Sequence, residues 1–120
     1  MKIESQTARV DFEEYLGDTL TFSFGYCDEL GNLINLIGSS ISCIFSSQTL
    51  PDTILLNATS SNGGIIVGGD PYNIVVKVSS ADCTSFFSIG RFNYSLIVTD
   101  SLGNVNTLIN GILTLKGRNI

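Results

Sequence analysis

The side chains able to do chemistry in this sequence are few and poorly partnered. There are three cysteines (Cys27, Cys43 and Cys83), eleven acids, six bases and no histidine. A nucleophilic thiol or hydroxyl needs a neighbouring base of suitable pKa. With no histidine and no paired lysine, Cys43 and Cys83 have no visible activator. Cys43 shares a strand face with Ile41 and Phe45, the setting of a buried core thiol. Cys83 follows a capped turn; a helix start there would lower its pKa, but packing beneath the turn is the preferred reading. No CxxC pair occurs. An odd count without a visible secretion signal predicts free thiols in a reducing compartment, although one bridge among the three stays open.

Paired carboxylates suited to glycoside hydrolysis would come from Glu13-Glu14, Asp18 or Asp28-Glu29. All fall in turns or at strand ends, where acids face water, and nothing nearby would hold one protonated. A calcium loop would need several converging oxygens. Asp100-Ser101-Leu102-Gly103-Asn104 offers one carboxylate, and turn chemistry accounts for each of its residues. The stretch from Gly63 to Gly69 has no following helix and no Lys-Ser or Lys-Thr, so it is not a phosphate loop but two turns flanking a short strand. Asn57-Ala58-Thr59 and Asn93-Tyr94-Ser95 match the glycosylation sequon, which without secretion carries no meaning. Tyr15, Tyr26, Tyr72 and Tyr94 are potential sugar platforms, but core or strand-end packing suits most of them better. No catalytic, cofactor-binding or metal-ligating residue is therefore expected, and no cofactor.

Charge narrows the partners. The net charge is −5, and the bases Lys2, Arg9, Lys77, Arg91, Lys116 and Arg118 are scattered singly. Nucleic-acid binding needs clustered cations, so it is not expected. An anionic membrane surface would repel the chain. Residues 30–51 carry no charge, yet Asn32, Asn35 and five serines punctuate them, so they read as a turn, a loop and a strand rather than a membrane span.

The elements that must position these residues are strands. At 120 residues the chain suits one domain. Short alternating runs recur with turn chemistry between them. Leu20, Phe22, Phe24 and Tyr26 alternate with Thr19, Thr21, Ser23 and Gly25; Ile41, Cys43 and Phe45 share a face; Tyr72, Ile74, Val76 and Val78 alternate with Asn73, Val75, Lys77 and Ser79. Phe92, Tyr94, Leu96 and Val98 point inward from a strand over Arg91 to Thr99, and Asn104 to Lys116 pairs with it. Weaker strands are expected over Thr7 to Tyr15, Thr53 to Ala58 and Ile65 to Val67, and Leu33 to Gly38 is expected to be short and extended ahead of a strand from Ser39 to Ser47. Asp28-Glu29-Leu30-Gly31-Asn32 and Asp100-Ser101-Leu102-Gly103-Asn104 are near-identical turns. The one helical turn falls at 79–85, capped by Ser79 or Ser80. These signals predict an all-β fold, an immunoglobulin-like two-sheet antiparallel β-sandwich of about seven or eight strands. Residues 1–16 form an arm or first strand ahead of a sandwich over 17–120. Self-pairing of the arm is the preferred reading over pairing outside its own domain.

From Gly17 onward the order of signals is specific. Gly17-Asp18-Thr19-Leu20-Thr21-Phe22 opens a strand, followed by Asp28…Gly31-Asn32 and Leu36-Ile37-Gly38-Ser39. Asn62-Gly63-Gly64-Ile65 precedes Val78-Ser79-Ser80-Ala81-Asp82, and then Gly90-Arg91-Phe92-Asn93-Tyr94-Ser95-Leu96 leads to Asp100…Gly103-Asn104-Val105 and Ile109-Asn110-Gly111-Ile112-Leu113. This resembles the small immunoglobulin-like β-sandwich proteins of tailed bacteriophages, which sit on the tail, baseplate or collar and help attach fibres. Leu36-Ile37-Gly38 departs from the family's Leu-Thr-Gly, and the threonine of its helical turn is shifted or replaced around Cys83-Thr84. The resemblance implies a non-enzymatic structural protein located in the virion after synthesis in the host cytoplasm, bound to other virion proteins in multiple symmetric copies. The alternative is a carbohydrate- or receptor-binding sandwich, which would expose a Tyr or Phe cluster beside Asn and Asp on one loop end or face.

Overall fold

The computed structural model describes residues 2–3, 8–28, 30–48, 53–69 and 72–117. Among them are ten strands: β1 (Lys2–Ile3), β2 (Ala8–Arg9), β3 (Phe12–Tyr15), β4 (Leu20–Tyr26), β5 (Ser40–Ser47), β6 (Ile54–Thr59), β7 (Ile65–Val67), β8 (Ile74–Val78), β9 (Gly90–Thr99) and β10 (Val105–Lys116). One helix, α1 (Ser80–Phe86), lies between β8 and β9. One sheet has the order β1-β4-β8-β7. The other runs β2-β10-β9-β5-β6, with β3 also on β10. The result is an immunoglobulin-like β-sandwich.

Inward residues at every second position make the sheets close on each other. β4 buries Leu20, Phe22, Phe24 and Tyr26 against Ile41, Cys43 and Phe45 of β5 and Phe92, Tyr94, Leu96 and Val98 of β9. The alternation fails in β6, where Leu55 and Leu56 are both half-buried, and in β10. Its register against β9 shifts between Thr107 and Ile109, so Leu108 is an inserted residue, and Leu108 and Ile109 are both fully buried. Ser79 caps α1, its hydroxyl accepting from the Asp82 N–H at 3.1 Å. The Ser80 hydroxyl instead donates to the Gly17 carbonyl at 2.6 Å.

The seven strands β4–β10 pair antiparallel, as expected, but the arm does not. β1 lies parallel to β4, and β2 and β3 lie parallel to β10. Parallel pairing needs a long crossover; here nearly the whole domain separates β3 from β10, so the arm is free of hairpin geometry. The expected first strand, 7–15, is split at Val10–Asp11 while its register against β10 stays constant, with Ala8 opposite Ile109 and Phe12 opposite Leu113. Residues 33–38, expected as a short extended segment, contribute one bridge, Cys27 to Leu33.

The split has a local cause. The Val10 N–H donates to the Asn110 carbonyl at 3.0 Å, but the Val10 carbonyl turns inward and accepts the Tyr94 hydroxyl. The Asp11 carboxylate replaces a ladder carbonyl and accepts the Ile112 N–H at 2.9 Å. Gly111 makes this crossing possible: a Cβ there would overlap the Val10 carbonyl oxygen and stand 2.7 Å from its carbon. Beyond the crossing, Phe12 enters the core against Phe22, with ring centroids 4.6 Å apart, and Tyr94, at 5.7 Å.

Two substitutions separate these contributions in urea unfolding. Gly111→Ala drives a methyl into backbone and should cost about 3 kcal/mol, the upper part of the overpacking range. Tyr94→Phe removes a single hydrogen bond and should cost about 1 kcal/mol.

Candidate functional site

The loops joining β4 to β5, β7 to β8 and β9 to β10 gather at one end of the sandwich. The pairings place Val67, Ile74 and Phe24 side by side in one sheet, and Ser40, Thr99 and Val105 in the other. Gly38 packs against Ser101, a Cβ on it standing 3.4 Å from the Ser101 Cβ.

The two near-identical turns adopt one geometry. In the first, Asp28 Oδ1 accepts the N–H groups of Leu30 (2.9 Å) and Asn32 (3.0 Å), and the Asp28 carbonyl accepts the Gly31 N–H at 3.1 Å. In the second, Asp100 Oδ1 accepts Leu102 and Asn104 N–H groups, both at 2.9 Å, and the carbonyl accepts Gly103 at 3.0 Å. Gly31 and Gly103 sit at φ +84° and +87°, the left-handed region this closure requires. The Asn104 side chain also donates to Asp100 Oδ2 at 3.1 Å. Hydrogen bonds from Asn104, with those from Leu102 and Gly103, hold the Asp100 carboxyl below the usual aspartate value. Both oxygens of the would-be calcium ligand are thus engaged by the turn.

Each turn lifts a leucine into solvent. Leu30, Leu102 and Ile37, the last farther along the same connection as Leu30, are each 86% exposed, and Val105 and Tyr72 are exposed at the same end. The three connecting segments, 27–39, 68–73 and 100–104, hold Asp28, Glu29, Asp70 and Asp100 and no lysine or arginine. This end of the sandwich is thus apolar on loops held by their own hydrogen bonds.

Beneath it lies Asn73, the buried polar side chain among the described residues, at 3% exposure. Alternation assigns it to the face opposite Ile74. Because β8 begins only at Ile74, Asn73 is free to turn inward. Its Oδ1 accepts the Tyr26 N–H at 2.7 Å, and its Nδ2 donates to the carbonyls of Tyr26 (3.1 Å) and Ile34 (3.0 Å). Its own carbonyl accepts the Gly68 N–H at 3.0 Å. One carboxamide therefore ties together the end of β4, the 33–36 segment and the β7–β8 loop. No sequence motif marks it.

The other candidates lie elsewhere. Cys27, Cys43 and Cys83 are free and buried; burial pushes the Cys43 thiol up, so it sits neutral in the core, and Cys83 accepts the Gly17 N–H at 3.4 Å beneath α1. Glu13 pairs with Lys116 at 2.9 Å on the arm, a bond that lowers the Glu13 pKa and raises that of Lys116. Tyr26 and Tyr94 are core residues. Tyr72 is exposed at the loop end, and Tyr15 lies at the far end of the arm. Asn93 lies within β9 and Asn57 within β6. Glu29 and Asp70 lie outside the residues whose side chains are described.

Residues 60–64, inside the glycine-rich stretch, form a turn with a role of its own. Asn62 Nδ2 donates to the Asn57 carbonyl and Asn62 Oδ1 accepts the Thr59 N–H, both at 2.9 Å. This carboxamide occupies the outer edge of β6 as a neighbouring strand's peptide group would. It also walls a groove of about 400 Å³ lined by Thr19, Leu56, Asn57, Lys77, Ser79 and Asp82 among others, without an aromatic ring.

No protein-family model and no curated protein sequence matches the chain. Among solved structures it is similar to the fibronectin(III)-like modules of Clostridium thermocellum CbhA, at 9% identity and a TM-score of 0.48 over 98% of this chain and 99% of that one. It is also similar to CopC from Methylosinus trichosporium OB3b, at 13% identity and a TM-score of 0.47 over 95% and 87%.

Two outcomes check the loop framework. Asn73→Ala leaves the buried Tyr26 N–H unpartnered and should cost about 1–3 kcal/mol in a denaturant melt. In an NMR titration Asp100 should protonate below the ordinary aspartate value. Its turn contribution is then intact at neutral pH and lost only as acid carries the pH through that lowered midpoint. Asn104→Ala should move the midpoint up part of the way, since the Asn104 backbone bond remains.

Proposed function

We propose that this chain is a non-catalytic assembly module, a structural adaptor of a tailed-bacteriophage virion that binds other tail, baseplate or collar proteins and helps attach fibres. The virion context rests on the order of motifs from Gly17 to Leu113. The observation that carries the docking role is the pair of matched turns, each holding a leucine 86% exposed at one end of the sandwich.

The physics favours a protein partner. Three aliphatic tips on rigid loops lose little conformational freedom on burial, the condition under which apolar contact converts best into affinity. The connecting segments at this end hold acids and no lysine or arginine, so the complementary surface is one with apolar hollows rimmed by lysine or arginine. A negatively charged lipid surface lacks that complementarity. The carbohydrate reading finds less support: two of the four tyrosines lie in the core, and the groove beside Asn62 has no aromatic platform.

Mass spectrometry of purified particles should find the protein, and its absence would sink the virion reading. The double variant Leu30→Asp with Leu102→Asp alters residues that contribute nothing to the core. It should keep the wild-type melt while its recovery in particles falls at least tenfold. Unchanged recovery would remove the loop end as the docking surface and leave the virion context standing.

A further inference from the structure

The arm and the edge of β10 fit each other as a strand and its receptor. β1 has two residues and β7 three. The outer edge of β6 is occupied by the Asn62 carboxamide, and its pairing with β5 is irregular between Phe45 and Ser46. β10 has twelve residues, and its outer side is covered by β2 and β3.

The receptor reads particular features of the segment it holds. Tyr94 donates to the Val10 carbonyl, the Ile112 N–H donates to the Asp11 carboxylate, and the absent side chain of Gly111 makes room for the crossing. Phe22, Phe24 and Tyr94 receive the Phe12 ring. Burial first, then the nearby Cys43 and Asp11, pushes the Tyr94 hydroxyl pKa up, which keeps it a proton donor. An empty slot would strand that donor and uncover aromatic core, so β10 needs an occupant. The arm reaches the body through Leu16–Thr19, where Gly17 turns at φ +94° and the Asp18 N–H bonds the Tyr15 carbonyl at 3.2 Å. Straightening this connection gives up the Asp18–Tyr15 turn bond and the bonds of Gly17 to Cys83 and Ser80, whereas every arm–slot contact would be reproduced in full by the arm of an identical molecule.

We propose that residues 8–16 form an exchangeable strand, and that the slot along β10 accepts this segment from a second copy when copies are crowded together. A short connection gives the arm an effective concentration on the order of mM for its own slot. Dilute protein therefore keeps its own arm, and exchange sets in where the local concentration of copies reaches that value, as within a symmetric assembly.

Glu13 and Thr114 are directly opposite across the β3–β10 pair, so the full chain carrying Glu13→Cys and Thr114→Cys reports which arm fills which slot. Refolded and oxidised at about 1 μM, it should close within one chain, which also shows the pair is reachable; at about 1 mM the covalent dimer or ladder on a non-reducing gel should rise more than tenfold. Closure within one chain at both concentrations would overturn the proposal. Deleting Gly17 and Asp18 gives an independent reading: β-rich dimers are expected, whereas a monomer with a detached arm would equally defeat exchange. Neither outcome depends on Leu30 or Leu102, so the loop-end reading stands or falls separately.

Discussion

The Val10 carbonyl occupies the space that a side chain on residue 111 would fill, and the closure of the sandwich along this side follows from that contact. Two sheets packed face to face leave open sides where core aromatics would meet water. Here a single segment covers one such side. It pairs with β10, turns its Val10 carbonyl to the Tyr94 hydroxyl, substitutes the Asp11 carboxylate for the lost ladder acceptor, and inserts Phe12 between the sheets. Each step depends on the one before. Without the glycine the carbonyl cannot turn; without the turned carbonyl the buried Tyr94 hydroxyl loses its acceptor, and an unpartnered buried polar group costs more than the bond itself contributes.

The opposite requirement governs the loop end. Loops that present apolar tips must be held by something other than the core, because the tips themselves face solvent. Two devices supply this. The Asp28 and Asp100 carboxylates saturate the N–H groups of their own turns, and the Asn73 carboxamide anchors three backbone segments from below. The resulting surface is rigid where it is most apolar, the arrangement expected of a contact site that avoids ordering its own loops on binding.

Much of this was legible in the sequence. The strict alternation in β4, β5 and β9 identified the inward faces, because a half-buried strand leaves the residue at each position little choice. The repeated Asp-x-Leu-Gly-Asn turns were legible for the same reason: their closure is local, needing only a carboxylate acceptor and a glycine at positive φ. What escaped depends on contacts between distant segments. Parallel pairing of the arm with β10 joins residues about 100 apart, and the Leu108 insertion shows in sequence only as two adjacent apolar residues. Asn73 and Asn62 are ordinary asparagines in ordinary turns. Their roles exist only once Tyr26 and Ile34, or Asn57 and Thr59, have been brought beside them.

Those two asparagines also bear on how such a module can associate. An exposed sheet edge invites pairing with any extended chain, and natural sandwiches suppress this with short edge strands, charges and plugs. This one uses all three: β7 is brief, Glu13 and Lys116 place an ion pair on the arm side, and Asn62 stands in for a missing neighbour on β6. These devices restrict the non-specific route to association, because backbone ladders recognise any strand. What stays available depends on side-chain identity, namely three aliphatic tips in fixed positions and a slot that reads a valine carbonyl, an aspartate and a phenylalanine in sequence. In the assembly role proposed above, selectivity comes from that restriction, since a contact requiring both shape and polar match excludes partners that a bare edge would admit.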